Sequence, residues 1–428
     1  MNSQRFSLIS FIFSSALIVF NIGYFVREHK LFPYQLYQEA AAGWEKISKG
    51  NSEQLPWYYI RKTEPFAEVS SDSKPYPGLT LVTKMGADRQ IVAEIIDLEG
   101  NTVHEWNLDW FEIWGDAKHL PEQDIPKEKP GTNIHGAIIT ENGDLIFNFE
   151  SLGLVRLDRS NKVVWRLPYQ THHSIHPDDS GNLWVSGSKY YTEANSNYPH
   201  ITPPFYEETL LEVTPEGKIV RELSIGEILR KNGYEGLLYQ GSLTNESTRI
   251  KGDGSRLGNS DLLHLNDIEP FSAKLGEGFF KQGDIIVSLR NINTVFVFNV
   301  ESEEIKYISI GQFIRQHDPD FIDGNTFSVF DNNNNGNPDA AQRQSRIAIV
   351  SAPDNTVTTY YTGTEDKPFF TNVMGKHQWL PNGNLLLTES KRGRGFEVNK
   401  QGEIVWQYVN YVDRDIVGIV SEVQRLLR

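Results

Sequence analysis

Eleven histidines occur among the 428 residues, and five of them, His135, His173, His264, His317 and His377, hold one recurring place. Each stands early in a phrase that passes through a Gly-Asn or Gly-Asp turn into an apolar run. The phrases cover residues 134–149 (IHGAIITENGDLIFNF), 172–185, 264–290, 317–332 and 377–390. A lone histidine of this kind is most simply a polar side chain satisfied by a neighbouring carbonyl. Five at equivalent positions need another account, because burying several imidazoles together costs desolvation without structural return. Neutral imidazole is a competent nucleophile, and imidazole near its pKa is a general acid or base. The chain has no cysteine, which excludes thiol catalysis, disulfides and thiolate zinc sites.

The elements that position these histidines form a repeat. Residues 95–106, 155–167, 211–223, 297–308, 349–361 and 396–408 each alternate apolar positions around a Gly-, Asn- or Asp-containing turn, the pattern of a β-hairpin. The turn residues Gly100, Asn161, Gly217, Glu303, Asn355 and Gly402 lie 61, 56, 86, 52 and 47 residues apart. Four-stranded propeller blades need about 40–50 residues, so six hairpins predict an all-β, six-bladed β-propeller with loop insertions. A sandwich or a parallel β-helix does not explain so long a period. In a propeller the innermost strand of each blade starts near the axis, so the five histidines are expected to converge on the mouth of the central channel.

Residues 6–26 carry no charge over 21 positions, enough at about 1.5 Å per residue to span a ~30 Å hydrocarbon core. The expected organisation is a membrane anchor at 1–26, a stalk at 27–75 and the propeller at 76–428. The expected location is the cell membrane, single-pass, with the propeller on the extracytoplasmic (periplasmic) side. Arg5 on one flank against Arg27 and Lys30 on the other leaves the orientation open by charge alone. The run 416–427 reads as an amphipathic helix. A net charge of -15 disfavours a nucleic-acid partner.

Residues 331–339 (DNNNNGNPD) fit the first half of a calcium loop. The twelfth position is Gln342, and no helical pattern flanks it, so an Asn-rich rim loop is the better reading. His172, His173 and His176 sit in strand and turn context near Pro177 and Gly181, without the helical spacing a zinc site would use. No metal ligand or cofactor is assigned.

Taken in order, several phrases resemble the arylsulfotransferase family of six-bladed propellers, which use an aryl sulfate donor. They are the His172-His173 pair, His264-Leu265-Asn266, the Ser-Leu-Arg-Asn run holding Arg290, Gln316-His317-Asp318, Phe330-Asp331-Asn332, and Ser345-Arg346. Weaker matches, common to many propellers, are Leu380–Asn384 and Gly402–Trp406. The resemblance spans roughly 77–410 and implies sulfuryl transfer to a hydroxyl acceptor through a sulfohistidine on His317. It implies that His264, Asn266 and Arg290 hold the sulfuryl oxygens and that His173 works at the bridging oxygen. His172, Asp331 and Asn332 are expected to help bind substrate. A loose transition state stabilised by fixed cationic and N–H donors fits this set, with no metal or nucleotide. No Gly-x-x-x-x-Gly-Lys phosphate loop is present. A non-catalytic envelope propeller binding a sugar, peptide or protein is the rival reading. The family's longer periplasmic members carry an N-terminal β-domain and a disulfide, for which this chain has an apolar segment and no cysteine.

Overall fold

The structure is a computed structural model and describes residues 13–15, 17, 19–21, 23–26, 55–62, 66, 69, 74–199, 201, 203–240, 261–337 and 343–427. The chain divides into two compact units, Met1–Pro56 and Trp57–Arg428. The described part of 13–26 is helical. Among the described residues no helix is long and apolar enough to cross a membrane. The expected span 6–26 and stalk 27–75 lie largely outside the described residues, as does Gln342. The second unit begins before residue 76, because Tyr59–Arg61 pairs with Ile416–Gly418 in a small three-stranded sheet.

Six four-stranded antiparallel sheets follow. Blades 2 to 6 are sequential meanders whose inner strands are Ile134–Ile139, Gln170–Pro177, Leu265–Pro270, His317–Phe321 and Lys376–Trp379. Blade 1 is completed from the other end of the chain. Val420–Arg425 forms its inner strand and pairs with Thr80–Met85, which is followed by Ile91–Ile96 and Thr102–Asn107. Each inner strand packs on the next, and Val420–Arg425 touches those of both blade 2 and blade 6, so the ring is closed. This is a six-bladed β-propeller. The closing strand corrects the helix expected at 416–427. The sequence IVGIVSEVQRL lacks strict alternation because an inner strand is covered on both faces, and five of the six residues from Val420 to Arg425 are buried.

The turn of every outer hairpin has a left-handed residue at the place its sequence marked, with φ of 85° at Gly100, 62° at Asn161, 78° at Gly217, 56° at Glu303, 50° at Asn355 and 78° at Gly402. Burial falls outward across a blade. In blade 2 Leu145–Phe149 is wholly buried, whereas Val163–Leu167 buries only Leu167. Between blades 4 and 5 the rings of Phe280, Tyr307, Phe321 and Phe327 meet edge to face at 5.1–6.5 Å. Truncating one such buried ring to Ala costs about 3–5 kcal/mol, so this packing fixes the spacing of the inner strands around the axis.

Candidate active site

The inner strands of blades 2 to 5 all break register at or beside their histidine. The skip falls between Ile134 and Ala137, between Ile175 and His172, between Leu265 and Asp267, and between His317 and Asp320. Left-handed residues mark the same places, with φ of 88° at Gly136, 55° at His173, 55° at His264 and 50° at Asp318. A bulge re-aims the side chains around it, and each non-glycine in this region costs on the order of 1–3 kcal/mol. Gly136 has no substitute, since a Cβ there would lie 1.9 Å from the His173 carbonyl oxygen.

Four of the five recurring histidines are brought together. His135 and His173 have ring centroids 4.1 Å apart, His173 and His264 4.9 Å. His317 is within electrostatic reach of His135 and His264. His377 is not part of the group. Its strand pairs without a register skip, and it is Met374, three residues earlier, whose backbone N–H donates to His317 Nε2 at 3.2 Å. His377 therefore lies three residues beyond the site and binds Asp318 and Ser328 instead.

A cavity of about 500 Å³ opens onto His172, His173, His264, Glu150, Glu208 and Asp261. Its three imidazoles form one chain between two carboxylates. Glu208 Oε2 lies 3.2 Å from His172 Nε2. His172 and His173 meet through Nδ1 atoms at 2.9 Å. His173 and His264 meet through Nε2 atoms at 3.2 Å, and His264 Nδ1 donates to Asp261 Oδ2 at 2.6 Å. His172 Nε2 also lies 3.1 Å from Ser188 Oγ. Burial pulls the His172 pKa down, yet Glu208, with Glu150 and Asp261, outweighs that and holds it above the ordinary value. His173 is held well below the ordinary value by burial and by the neighbouring His135, His264 and His172. Burial also opposes the charge on Asp261, but His264 and Arg290 overcome it and lower its pKa to about 2.

His317 is only 2% exposed and is not in the cavity wall. Its Nδ1 lies 2.6 Å from Asn332 Oδ1. The Asn332 amide nitrogen is fixed by the carbonyls of Thr371 and Met374, at 2.9 and 2.7 Å. The oxygen therefore faces the ring, Nδ1 carries the proton, and Nε2 keeps its lone pair. Burial first, then Arg290 and His135, holds the His317 pKa well below the ordinary value, so the ring is neutral at pH 7. Asn332 positions His317 rather than contacting the cavity.

Arg290 stands at the end of the chain of imidazoles, its Nη2 3.7 Å from Asp261 Oδ2 and its Nε donating to Asn291 Oδ1 at 3.2 Å. Burial lowers its pKa to about 10, with Asp261 opposing and Arg315 assisting, and it remains charged at pH 7. Asn266 donates from Nδ2 to the Gln316 carbonyl at 2.7 Å, a link between blades 4 and 5, and its Oδ1 is buried without a partner. Asp331 corrects its expected role. Its carboxylate oxygens accept from the N–H groups of Ile314 and Asn333 and from Arg346 at 2.9–3.0 Å, and it is not in the cavity wall.

Glu150, Glu208 and Asp261 were not singled out from sequence. Asp261, three residues ahead of His264, carried a local spacing signal; Glu208 sits in the middle of Phe205–Val213, where nothing local distinguishes it. His135, Glu150 and His173 also present ligand atoms within 4.8 Å of one another, a set able to hold a metal ion. His176 lies 3.5 Å from Asp267, in keeping with the absence of zinc-site spacing among His172, His173 and His176.

The model of the family described as Arylsulfotransferase (ASST) matches residues 136–411, more than half of the chain. No curated protein matches the sequence. Among solved structures, similarity extends to a protein of unknown function from Bacteroides caccae, at 13% identity and TM-score 0.45 over 79% of this chain and 97% of that one. Virginiamycin B lyase from Staphylococcus aureus aligns at 12% identity and TM-score 0.37, over 86% and 98%. A chain of a nidogen/laminin complex aligns at 8% identity and TM-score 0.42, over 80% and 98%.

Proposed function

We propose that this chain, which belongs to the arylsulfotransferase family, moves a sulfuryl group from an aryl sulfate ester to a hydroxyl acceptor by way of a sulfohistidine on His317. The observation that carries the reading is the placing of His317, whose pKa is held well below the ordinary value, beside a hydrogen-bonded chain of imidazoles that opens on the cavity. Nε2 of His317 attacks sulfur as the sulfur–aryl oxygen bond breaks, and that oxygen leaves with the bonding electrons. A proton from the His172–His173–His264 chain neutralises it. The acceptor hydroxyl then attacks the sulfur, the Nε2–sulfur bond breaks, and the hydroxyl proton returns to the chain. Arg290 opposes the negative charge on the sulfuryl oxygens, a contribution typically worth a few kcal/mol. Attack requires His317 to release the 3.2 Å contact from Met374 N–H, a bond of about 1 kcal/mol net.

The charge-free segment 6–26 supports single-pass attachment to a membrane, and the reading places the propeller on the extracytoplasmic side. The test of the reaction is nitrophenolate release from 4-nitrophenyl sulfate by the full chain in the presence of a phenol. Absence of release with every acceptor tried overturns the reading.

A further inference from the structure

Beyond the imidazole site, the inner strands of five blades bring a second set of charged side chains to the axis. Blade 3 contributes His176, blade 4 Asp267 and Glu269, blade 5 Asp318 and Asp320, blade 6 Lys376 and His377, and blade 1 Glu422. All but Asp267 line a cavity of about 320 Å³, separate from the one that opens on His173 and His264. Five carboxylates thus face one ammonium and two imidazoles.

The pairing inside the set is incomplete. Lys376 Nζ lies 3.2 Å from Asp318 Oδ1, and Asp318 Oδ2 accepts from His377 Nδ1 at 2.9 Å. Glu269 accepts from the Phe321 N–H at 2.7 Å. Against these, Asp267 is 1% exposed and neither carboxylate oxygen has a hydrogen-bond partner; His176 Nε2 lies 3.5 Å from Oδ1. Glu422, 6% exposed and in the cavity wall, has Oε2 buried and unpartnered. Leaving such atoms unpaired costs more for charged groups than the roughly 1–3 kcal/mol typical of neutral ones. Trp379 Nε1 donates to Ser328 Oγ at 2.9 Å, which frees the Ser328 proton for His377 Nε2 at 2.7 Å. Asp320 Oδ2 lies 3.7 Å from the same nitrogen.

We propose that this axial cluster binds a divalent metal cation, with Asp318, Asp320 and His377 at its centre and Glu422 available to complete the shell. The ligand atoms of the first three lie within 4.8 Å of one another. A set dominated by carboxylates with one imidazole suits Mn²⁺ better than the all-oxygen shells of Ca²⁺ or Mg²⁺. Lys376 and His176 offset part of the negative charge, and a divalent cation offsets most of the remainder. The cation would tie the inner strands of blades 5, 6 and 1 together beside the point where the ring closes.

Mn²⁺ titrated into the chelator-treated full chain should lose its free-ion paramagnetic resonance signal at one equivalent and raise the unfolding temperature. Asp320→Asn should weaken binding at least tenfold. Glu422→Gln is the second variant should the first not fold. Weakened binding in either variant supports the site. No binding by the intact chain, or undiminished binding in both variants, overturns it. Neither variant touches the imidazole chain, so nitrophenolate release tests the sulfotransferase reading separately.

Discussion

His173 and His264 meet Nε2 to Nε2 at 3.2 Å, so at any moment one nitrogen holds the proton and the other the lone pair. Neither ring is free to choose alone. His264 is committed through Nδ1 to Asp261 at 2.6 Å, which fixes its Nε2 as the acceptor while it is neutral. The proton between the rings then belongs to His173, whose Nδ1 lies 2.9 Å from His172 Nδ1 and 3.4 Å from Glu150 Oε1. Asp261 therefore sets the direction of the chain from its end, and a proton delivered at the cavity by His173 can be replaced from His172.

The pH dependence follows from the raised pKa of His172. A proton bound more tightly in the folded protein is fully present below the ordinary value of 6.5 and is lost as pH rises through the elevated folded value. The kcat/KM profile should fall along an alkaline limb set by that loss. Glu208→Gln removes the main support of the charge, so the limb should move to lower pH while kcat at acid pH changes little. An alkaline limb that Glu208→Gln leaves in place would separate His172 from catalysis.

His173 and His317 have the opposite effect on stability. Their folded pKa values lie well below 6.5, so below pH 6.5 the unfolded chain binds protons that the folded one refuses. The unfolding temperature should drop as pH falls from 7 to 5. Asn at either position removes the liability, and His173→Asn should flatten that drop. A melting curve series at matched ionic strength measures it.

Trapping tests the proposal that His317 is the nucleophile. Donor without acceptor should give a burst of phenol and an acid-labile sulfuryl group, and His317→Ala should abolish both. His173→Ala should slow turnover by about 10²–10⁴, and least for donors whose leaving group needs no proton. Mass spectrometry of quenched protein reads the outcome, and a sulfuryl mass on another residue removes His317 from the role.

Arg290 should resist conservative replacement. Lysine keeps the charge but loses the fork that holds Asn291 and faces Asp261, so Arg290→Lys should lower kcat/KM by about 10²-fold or more. Sulfate should compete with donor in the parent chain and weakly in the variant. Unimpaired turnover by Arg290→Lys would place the guanidinium outside the reaction.

The sequence made the outer hairpins legible because their turns need left-handed residues, and Gly, Asn and Asp advertise them; all six marked turns adopt positive φ. The histidines were legible as a class but not in depth. Phase along an inner strand decides which cavity a side chain meets, and a bulge shifts that phase by a residue without changing composition. So His377 carried the right pattern and lies three residues past the site, while Glu208 carried none and lies within it. Asp331 misled for a related reason: its carboxylate serves Arg346 and two backbone N–H groups, a use invisible without the fold. The closing strand was missed because burial on both faces erases the alternation by which strands are recognised.

Ring closure gives the last prediction. Arg425, at the end of the closing strand, is 1% exposed and pairs through Nη2 with Glu397 Oε2 of blade 6 at 3.1 Å, with its guanidinium 4.9 Å from the Trp406 ring centroid. Burial lowers the Arg425 pKa, with Glu397 opposing, and raises that of Glu397. Each therefore offsets part of the burial cost of the other's charge. Removing one partner of a buried pair costs about 3–5 kcal/mol because the remaining charge is stranded. Arg425→Ala should lower the urea midpoint accordingly, and the double change Arg425→Met with Glu397→Leu should recover much of the loss, since two apolar groups leave no charge behind. Equal destabilisation by the single and double variants would mean that packing of the strand, rather than the ion pair, closes the ring.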